Sequence, residues 1–324
     1  MPKKQPTFYI TASMKTQLNI AIIQKKPKHL DLPTSLELLK SYLKEASTKG
    51  AELIVFGETW LTGYPAWLDS CPEVALWDNP AMKEVFAELY LNSVEVPGKE
   101  IQEICALAAE LKVTICIGVN EIVKNGAGNG TIYNAVLIIG SDGTLKNHHR
   151  KLMPTFSEKL VYGIGDGHGL NSVDTDFGKL GSLICWEHWM PLTRQAMHES
   201  GETVHIALWP NVHERLQLAS RSYAFEGRCF VIAVGQIMYQ EDVPSQLTLN
   251  KDYIHKNGLL LNGGSCVIGP DGNFLLDPQF DTEDIIYYTI DDLGKTIGER
   301  MALDVTGHYN RKDVFDFKVN KERK

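Results

Sequence analysis

The sequence predicts an α/β layered fold, with mixed sheets inside and helices outside them. Two patterns carry this expectation. Short, apolar, β-branched runs alternate with stretches whose apolar residues recur at helical period, and hairpin signals twice interrupt the alternation.

The first run, residues 18–23 (Leu-Asn-Ile-Ala-Ile-Ile), reads as a buried strand. Thr34-Ser35-Leu36-Glu37 has capping-box spacing, and Leu36, Leu39, Leu43 and Ala46 follow at helical period until Gly50 stops them. Residues 52–56 form the next strand, which completes a βαβ unit with a parallel pair. A helix over 100–111 and a strand over 113–118 continue the pattern. Strands at 131–139 and 145–149 flank the turn Ser141-Asp142-Gly143. A strand at 180–185, a helix at 191–200, a strand at 203–209, a helix at 212–226 and a strand at 229–234 follow. The turn Pro270-Asp271-Gly272 joins 264–268 to 274–276, and 285–290 closes the chain's last strand. Residues 236–262 are polar and lack period, which marks a long insertion that serves function or an interface. No Pro/Gly/Ser-rich linker divides the chain, so the expectation is a single domain over 17–320 behind a loose tail at 1–16.

Composition narrows the function. The 324 residues are 44% hydrophobic and 22% charged, ordinary for a globular chain with a full core. Lys and Arg number 32 against 40 Asp and Glu, a net charge of -8 that disfavours nucleic acid as a partner. The basic clusters at 25–28 and 321–324 lack interleaved aromatics and read as solvated surface. The six cysteines show neither CxxC nor zinc-ligand spacing, so a reducing, cytoplasmic setting is expected. The N-terminus lacks the apolar core of a signal peptide, and no run approaches the roughly 18 apolar residues of a membrane span.

Chemistry collects at the carboxyl ends of strands in such folds. Glu58 follows Leu-Ile-Val-Phe-Gly, Lys151 follows the 145–149 strand, and Cys185 ends Leu-Gly-Ser-Leu-Ile. A carboxylate, an amine and a thiol make a complete kit for covalent hydrolysis. A free thiol has a pKa of about 8.5, so it needs help to ionise. Glu58 would serve as general base, and the positive end of the helix starting near Pro191 would assist. Lys151 would stabilise the negative charge that develops on the attacked group. Taken singly, each residue has an ordinary reading: a buried strand cysteine, a strand-ending glutamate, a solvated lysine.

The surrounding residues resemble a known family. Phe56-Gly57-Glu58-Thr59-Trp60-Leu61-Thr62-Gly63-Tyr64-Pro65 is similar to the nitrilase segment that carries a catalytic glutamate. His149-Arg150-Lys151-Leu152-Met153-Pro154-Thr155, with Glu158, resembles the lysine segment, and Cys185-Trp186-Glu187-His188 the nucleophile segment. The ending Gly307-His308-Tyr309-Asn310-Arg311-Lys312-Asp313-Val314-Phe315 is similar to true nitrilases rather than amidases or carbamoylases. The resemblance runs from about residue 18 to 320. It implies an α-β-β-α sandwich that pairs through its helices into a homodimer or larger oligomer. It further implies Glu58 as base, Lys151 as electrostatic stabiliser, Cys185 as nucleophile, and Glu158 as a second glutamate that positions the lysine or substrate. The implied reaction is hydrolysis of an organic nitrile by water to a carboxylic acid and ammonia, without cofactor or metal. Amidase or cyanide-hydrolysing activity is the alternative within the superfamily. Two departures stand out: Gly57 occupies a position where relatives often carry proline, and the chain stops soon after Asn320, so a dimer is expected before long filaments.

Other motifs are weaker. The alternating glycines at 163–169 do not follow a strand into a helix as a phosphate cradle would, and there is no GxSxG elbow or HExxH pair. His188 and His213 are placed to face the pocket, although most such histidines are structural or lie just behind it. Trp60, Tyr64, Trp186, Trp209 and Pro210, near the strand ends, are the expected substrate wall.

Overall fold

The computed structural model describes residues 15–323, so residues 1–14 of the expected tail lie outside the described residues. The Thr16 carbonyl already accepts a hydrogen bond from the Leu293 amide at 2.8 Å.

The strands and helices follow in chain order as β1 (Leu18–Ile23), α1 (Leu32–Thr48), β2 (Leu53–Phe56), α2 (Trp67–Ser70), α3 (Pro80–Leu91) and α4 (Lys99–Leu111). Then come β3 (Thr114–Ile122), β4 (Ile132–Ile139), β5 (Leu145–Arg150), β6 (Val173–Thr175), β7 (Gly178–Ile184), α5 (Pro191–Glu199) and β8 (Val204–Leu208). Last are α6 (Glu214–Gly227), β9 (Phe230–Val234), β10 (Ile237–Tyr239), β11 (Leu259–Ile268), β12 (Phe274–Phe280), β13 (Ile285–Ile290) and α7 (Lys295–Glu299).

Among the described residues the strands form two mixed sheets. The first runs β13-β1-β2-β3-β4-β5, with β1, β2 and β3 parallel and the others antiparallel to their neighbours. The second runs β10-β11-β9-β8-β7-β6, with β7, β8 and β9 parallel and β12 paired to β11. Alternation along β1 explains how the layers stack. Leu18, Ile20 and Ile22 share a core with Leu183, Ile206 and Ile232 of the second sheet. Ala21 and Ile23 face the other way, into a core with Leu39 and Leu43 of α1 and Ile104 of α4. Residues of α5 and α6, including Met197 and Tyr223, cover the second sheet. The result is the α-β-β-α sandwich. Leu39 and Leu43 are fully buried, each contributing about 1.5–3 kcal/mol to holding α1 in place. No helix among the described residues is long and apolar enough to cross a membrane.

Three local expectations need correction. Helix α1 starts at Leu32, capped by Asp31, whose side chain accepts from the Thr34 amide at 3.0 Å; an acidic cap outcompetes the Thr34 hydroxyl. Periodicity assigns no element to residues 60–98, yet α3 forms there behind an Asn79 cap and Pro80. The stretch 236–262 is not wholly irregular, since β10 pairs antiparallel with the start of β11 and buries Ile237 and Met238.

Candidate active site

Glu58 follows β2, Lys151 follows β5, and Cys185 follows β7, so two residues come from the first sheet and one from the second. The strands deliver them to one spot. The Lys151 ammonium donates to Glu58 Oε1 at 2.7 Å and to Glu158 Oε1 and Oε2 at 2.9 and 2.7 Å. The Cys185 sulfur and one oxygen each of Glu58 and Glu158 lie within 4.8 Å of one another. All four side chains are buried. Sulfur and carboxylate oxygen are donors that a metal ion would also accept, but here the Lys151 ammonium already bonds both carboxylates and supplies the positive charge.

Backbone geometry aims the groups. Cys185 has φ +53°, a left-handed conformation that costs a non-glycine residue energy and turns its side chain out of the line of β7. Thr59 and Thr62, just past Glu58, are left-handed too, at +48° and +87°. Glu187 staples the chain after β5 to the end of β7: its carboxylate accepts from the amides of Ile184 and Leu152, both at 2.8 Å, and meets His149 Nε2 at 2.9 Å.

Electrostatics set the resting protonation. Burial lifts the Glu58 carboxyl from the ordinary range to about 7, against the pull of Lys151. Burial also pushes the Cys185 thiol well above its usual value, and the Glu58 charge pushes it further. A 3-10 turn over Cys185–Trp189 separates Cys185 from the start of α5, the helix expected to assist its ionisation. Burial works against the charge on Lys151, but Cys185, Glu58 and Glu158 outweigh it and hold the ammonium well above the ordinary lysine value. The pocket therefore rests with a thiol beside a basic carboxylate and a permanent cation. Such a set can take a proton from sulfur as sulfur attacks a carbon.

A cavity of about 550 Å³ opens onto this cluster, with Cys185, Glu158, Tyr64, Trp186 and Pro210 on its wall. The Tyr64 hydroxyl donates to Glu158 Oε1 at 2.9 Å. Trp60 and Trp209, expected on the same wall, do not line it. The Trp60 indole donates to the Lys25 carbonyl at 2.7 Å and packs 4.8 Å from the Phe56 ring, within the core under α1. The Trp209 indole donates to Ser220 Oγ at 3.1 Å and is sealed beneath α6. Each finds a buried partner for its N–H in the core. His213 does reach the cavity, beside His255, while His188 lies behind Cys185.

Sequence reasoning missed three contributors. Asn134 donates to Glu58 Oε1 at 2.8 Å; a polar residue inside the apolar run of β4 was the available signal. Glu187 was read only as part of a motif. Gln236 donates to the Glu58 carbonyl at 2.7 Å, and its side chain fills the space beside Gly57. A Cβ on residue 57 would stand 2.4 Å from Gln236 Cγ, which accounts for glycine there.

A carbon-nitrogen hydrolase family profile matches residues 19–297. The chain is 35% identical over 311 residues to a Nitrilase 2 from an unknown prokaryotic organism, covering 95% of this chain and 94% of that protein. It is 32% identical over 311 residues to an aliphatic nitrilase of Sinorhizobium fredii, covering 95% and 97%. A carbon-nitrogen hydrolase structure from Helicobacter pylori shares the fold, with a TM-score of 0.66 at 21% identity over 92% of this chain and 96% of that one. By sequence along nearly its whole length and by its architecture, the chain belongs to the carbon-nitrogen hydrolase family, as a nitrilase-type member.

Proposed function

We propose that this protein hydrolyses an organic nitrile to a carboxylic acid and ammonia. The observation that carries the reading is the convergence of the Cys185 sulfur with the Glu58 and Glu158 carboxylates, within 4.8 Å, around the Lys151 ammonium. Relatives named as nitrilases support the nitrile as substrate. A cavity of about 550 Å³ is in the range of small-molecule sites and leaves ample room for a substituent, which favours an organic nitrile over hydrogen cyanide.

Sulfur attacks the nitrile carbon while Glu58 takes the thiol proton and passes it to the nitrile nitrogen, giving a thioimidate. Lys151 stabilises the negative charge building on nitrogen. Glu158 and Tyr64 hold Lys151 in register. Glu58 next takes a proton from water as it adds to the thioimidate carbon and hands it to the nitrogen; the second water proton follows as the C–N bond breaks, ammonia leaves, and a thioester remains. A second water releases the acid and returns the proton to sulfur. The sum is one nitrile and two waters to one acid and one ammonia. We place this machinery in a single domain over 17–320 and expect the chain to pair through α5 and α6, where Leu192, Leu218 and Phe225 are exposed.

Cys185→Ala tests the reading. Ammonia release from a nitrile panel is expected to vanish while circular dichroism stays native; retained turnover refutes it. Comparing ammonia release from each nitrile and its matching amide separates nitrilase from amidase, and the acid-to-amide ratio settles the product.

A further inference from the structure

Behind the nucleophile runs a buried polar chain that the proposed mechanism does not use. His188 Nδ1 lies 2.7 Å from the Cys185 carbonyl oxygen, and His188 Nε2 lies 3.0 Å from His205 Nε2. His205 Nδ1 lies 2.7 Å from Glu202 Oε1, and the Tyr223 hydroxyl donates to Glu202 Oε2 at 2.5 Å. All four side chains are buried. Removing three titratable groups from water is costly unless each hydrogen bond is satisfied. The fold also makes room for them: Gly181 pairs across from His205, and a Cβ there would fall 1.5 Å from Glu202 Oε1.

Donor and acceptor counting settles where the protons sit. A carbonyl only accepts, so His188 Nδ1 carries hydrogen. Burial holds His188 down to about 3 and His205 well below the ordinary range, so both rings are neutral near pH 7. A neutral His188 then has a bare Nε2, and the hydrogen between the rings belongs to His205 Nε2. A neutral His205 in turn has a bare Nδ1, so the hydrogen facing Glu202 belongs to the carboxyl. Burial raises the Glu202 carboxyl to about 7, in keeping with that count. If Glu202 loses this proton, two hydrogens remain for three links, and the carboxylate, which only accepts, draws the His205 hydrogen to Nδ1. His188 can then donate to the Cys185 carbonyl or to His205 Nε2 but not to both, so its hold on the carbonyl weakens. That carbonyl belongs to a residue held at φ +53°, where a lost restraint lets the backbone relax.

We infer that Glu202, His205 and His188 are positioning residues for Cys185, a three-link relay that secures the nucleophile's peptide in full only while Glu202 is protonated. Other charged or titratable groups surround the relay. His198 on α5 and Cys229 ahead of β9 face Glu202, and Glu187 and Arg194 flank His188. The inference rests on the reading of Cys185 as nucleophile.

The test uses the full chain and compares native protein with Glu202→Gln and Glu202→Leu, measuring kcat and KM for a nitrile against pH. In the glutamine variant the amide N–H donates to His205 and the amide oxygen accepts from Tyr223, but no proton can be lost. The native kcat should fall on the alkaline side with KM little changed. The glutamine variant should keep a kcat within a few-fold of native at neutral pH and lose that fall. The leucine variant should lose roughly tenfold or more in kcat at every pH, as a small displacement of a reacting atom does. An alkaline fall that is absent from the native enzyme, or unchanged in the glutamine variant, overturns the relay; so does native kcat in a folded leucine variant. If the leucine variant does not fold, the glutamine profile alone decides. Retained turnover in Cys185→Ala would instead sink the reading of the site, whatever the Glu202 variants do.

Discussion

Cys185 stands where a thiolate is least stable: buried, beside two carboxylates, with one ammonium in compensation. In the proposed mechanism ionisation and attack therefore coincide, which makes Glu58 the group whose protonation would govern rate. Its carboxyl is raised to about 7 and works when deprotonated. Accordingly kcat/KM should fall away as pH drops below about 7, the acid limb of a bell whose alkaline limb belongs to Glu202, and Glu58→Gln should remove the acid limb and nearly all turnover in a pH-rate profile. Glu58 and Cys185 were legible because each is a reactive side chain following an apolar run, whereas Lys151 follows the polar strand β5 and stood out by its place at a strand end and the resemblance of its segment. Trp60 and Trp209 sit near the same ends but turn into the core, since position along a strand does not say which way the following loop rotates. Trp60→Ala should then act on stability, costing about 3–5 kcal/mol in thermal or denaturant unfolding by cavity formation. A loss confined to KM, with unchanged unfolding, would put Trp60 back on the substrate wall.

At the scale of elements, most strands and the helices α1, α4, α5 and α6 were readable from period, whereas α3 and the stretch 236–262 were not. The one strand wholly inside it, β10, is three residues long, too short for alternation to register, and the stretch ends within β11. Even so, this stretch supplies Asp252, Tyr253, His255, Leu260 and Leu261 to the cavity wall, and Gln236 at its start bonds the Glu58 carbonyl. Gly57 and Gln236 form one unit across the two sheets, since filling residue 57 displaces the glutamine. Gly57→Ala and Gln236→Ala should each lower kcat roughly tenfold, and the double variant should fall about as far as either alone because both lose the same bond. A multiplicative loss in the double-mutant cycle would show that the two act separately.

For the whole molecule, composition and motif resemblance conveyed the layers, but not how the chain travels between them. That depends on pairings between residues far apart in sequence, which local patterns do not record. The outer face of α5 and α6 leaves Leu192 at 71% and Leu218 at 58% exposure, an apolar surface suited to a second copy. Light scattering should report a dimer or larger assembly, and Leu218→Asp should shift it toward monomer; a native monomer would discard the pairing.

The last strand of the first sheet comes from the end of the chain: Leu18 on β1 faces Ile290 on β13. During synthesis, β1 therefore waits with an open edge until residues 285–290 have left the ribosome. Such an edge invites pairing with a neighbouring nascent chain. Shortening the chain before residue 285 would remove that closing strand and leave β1 as an adhesive border, so truncated products should aggregate rather than persist as smaller folded units.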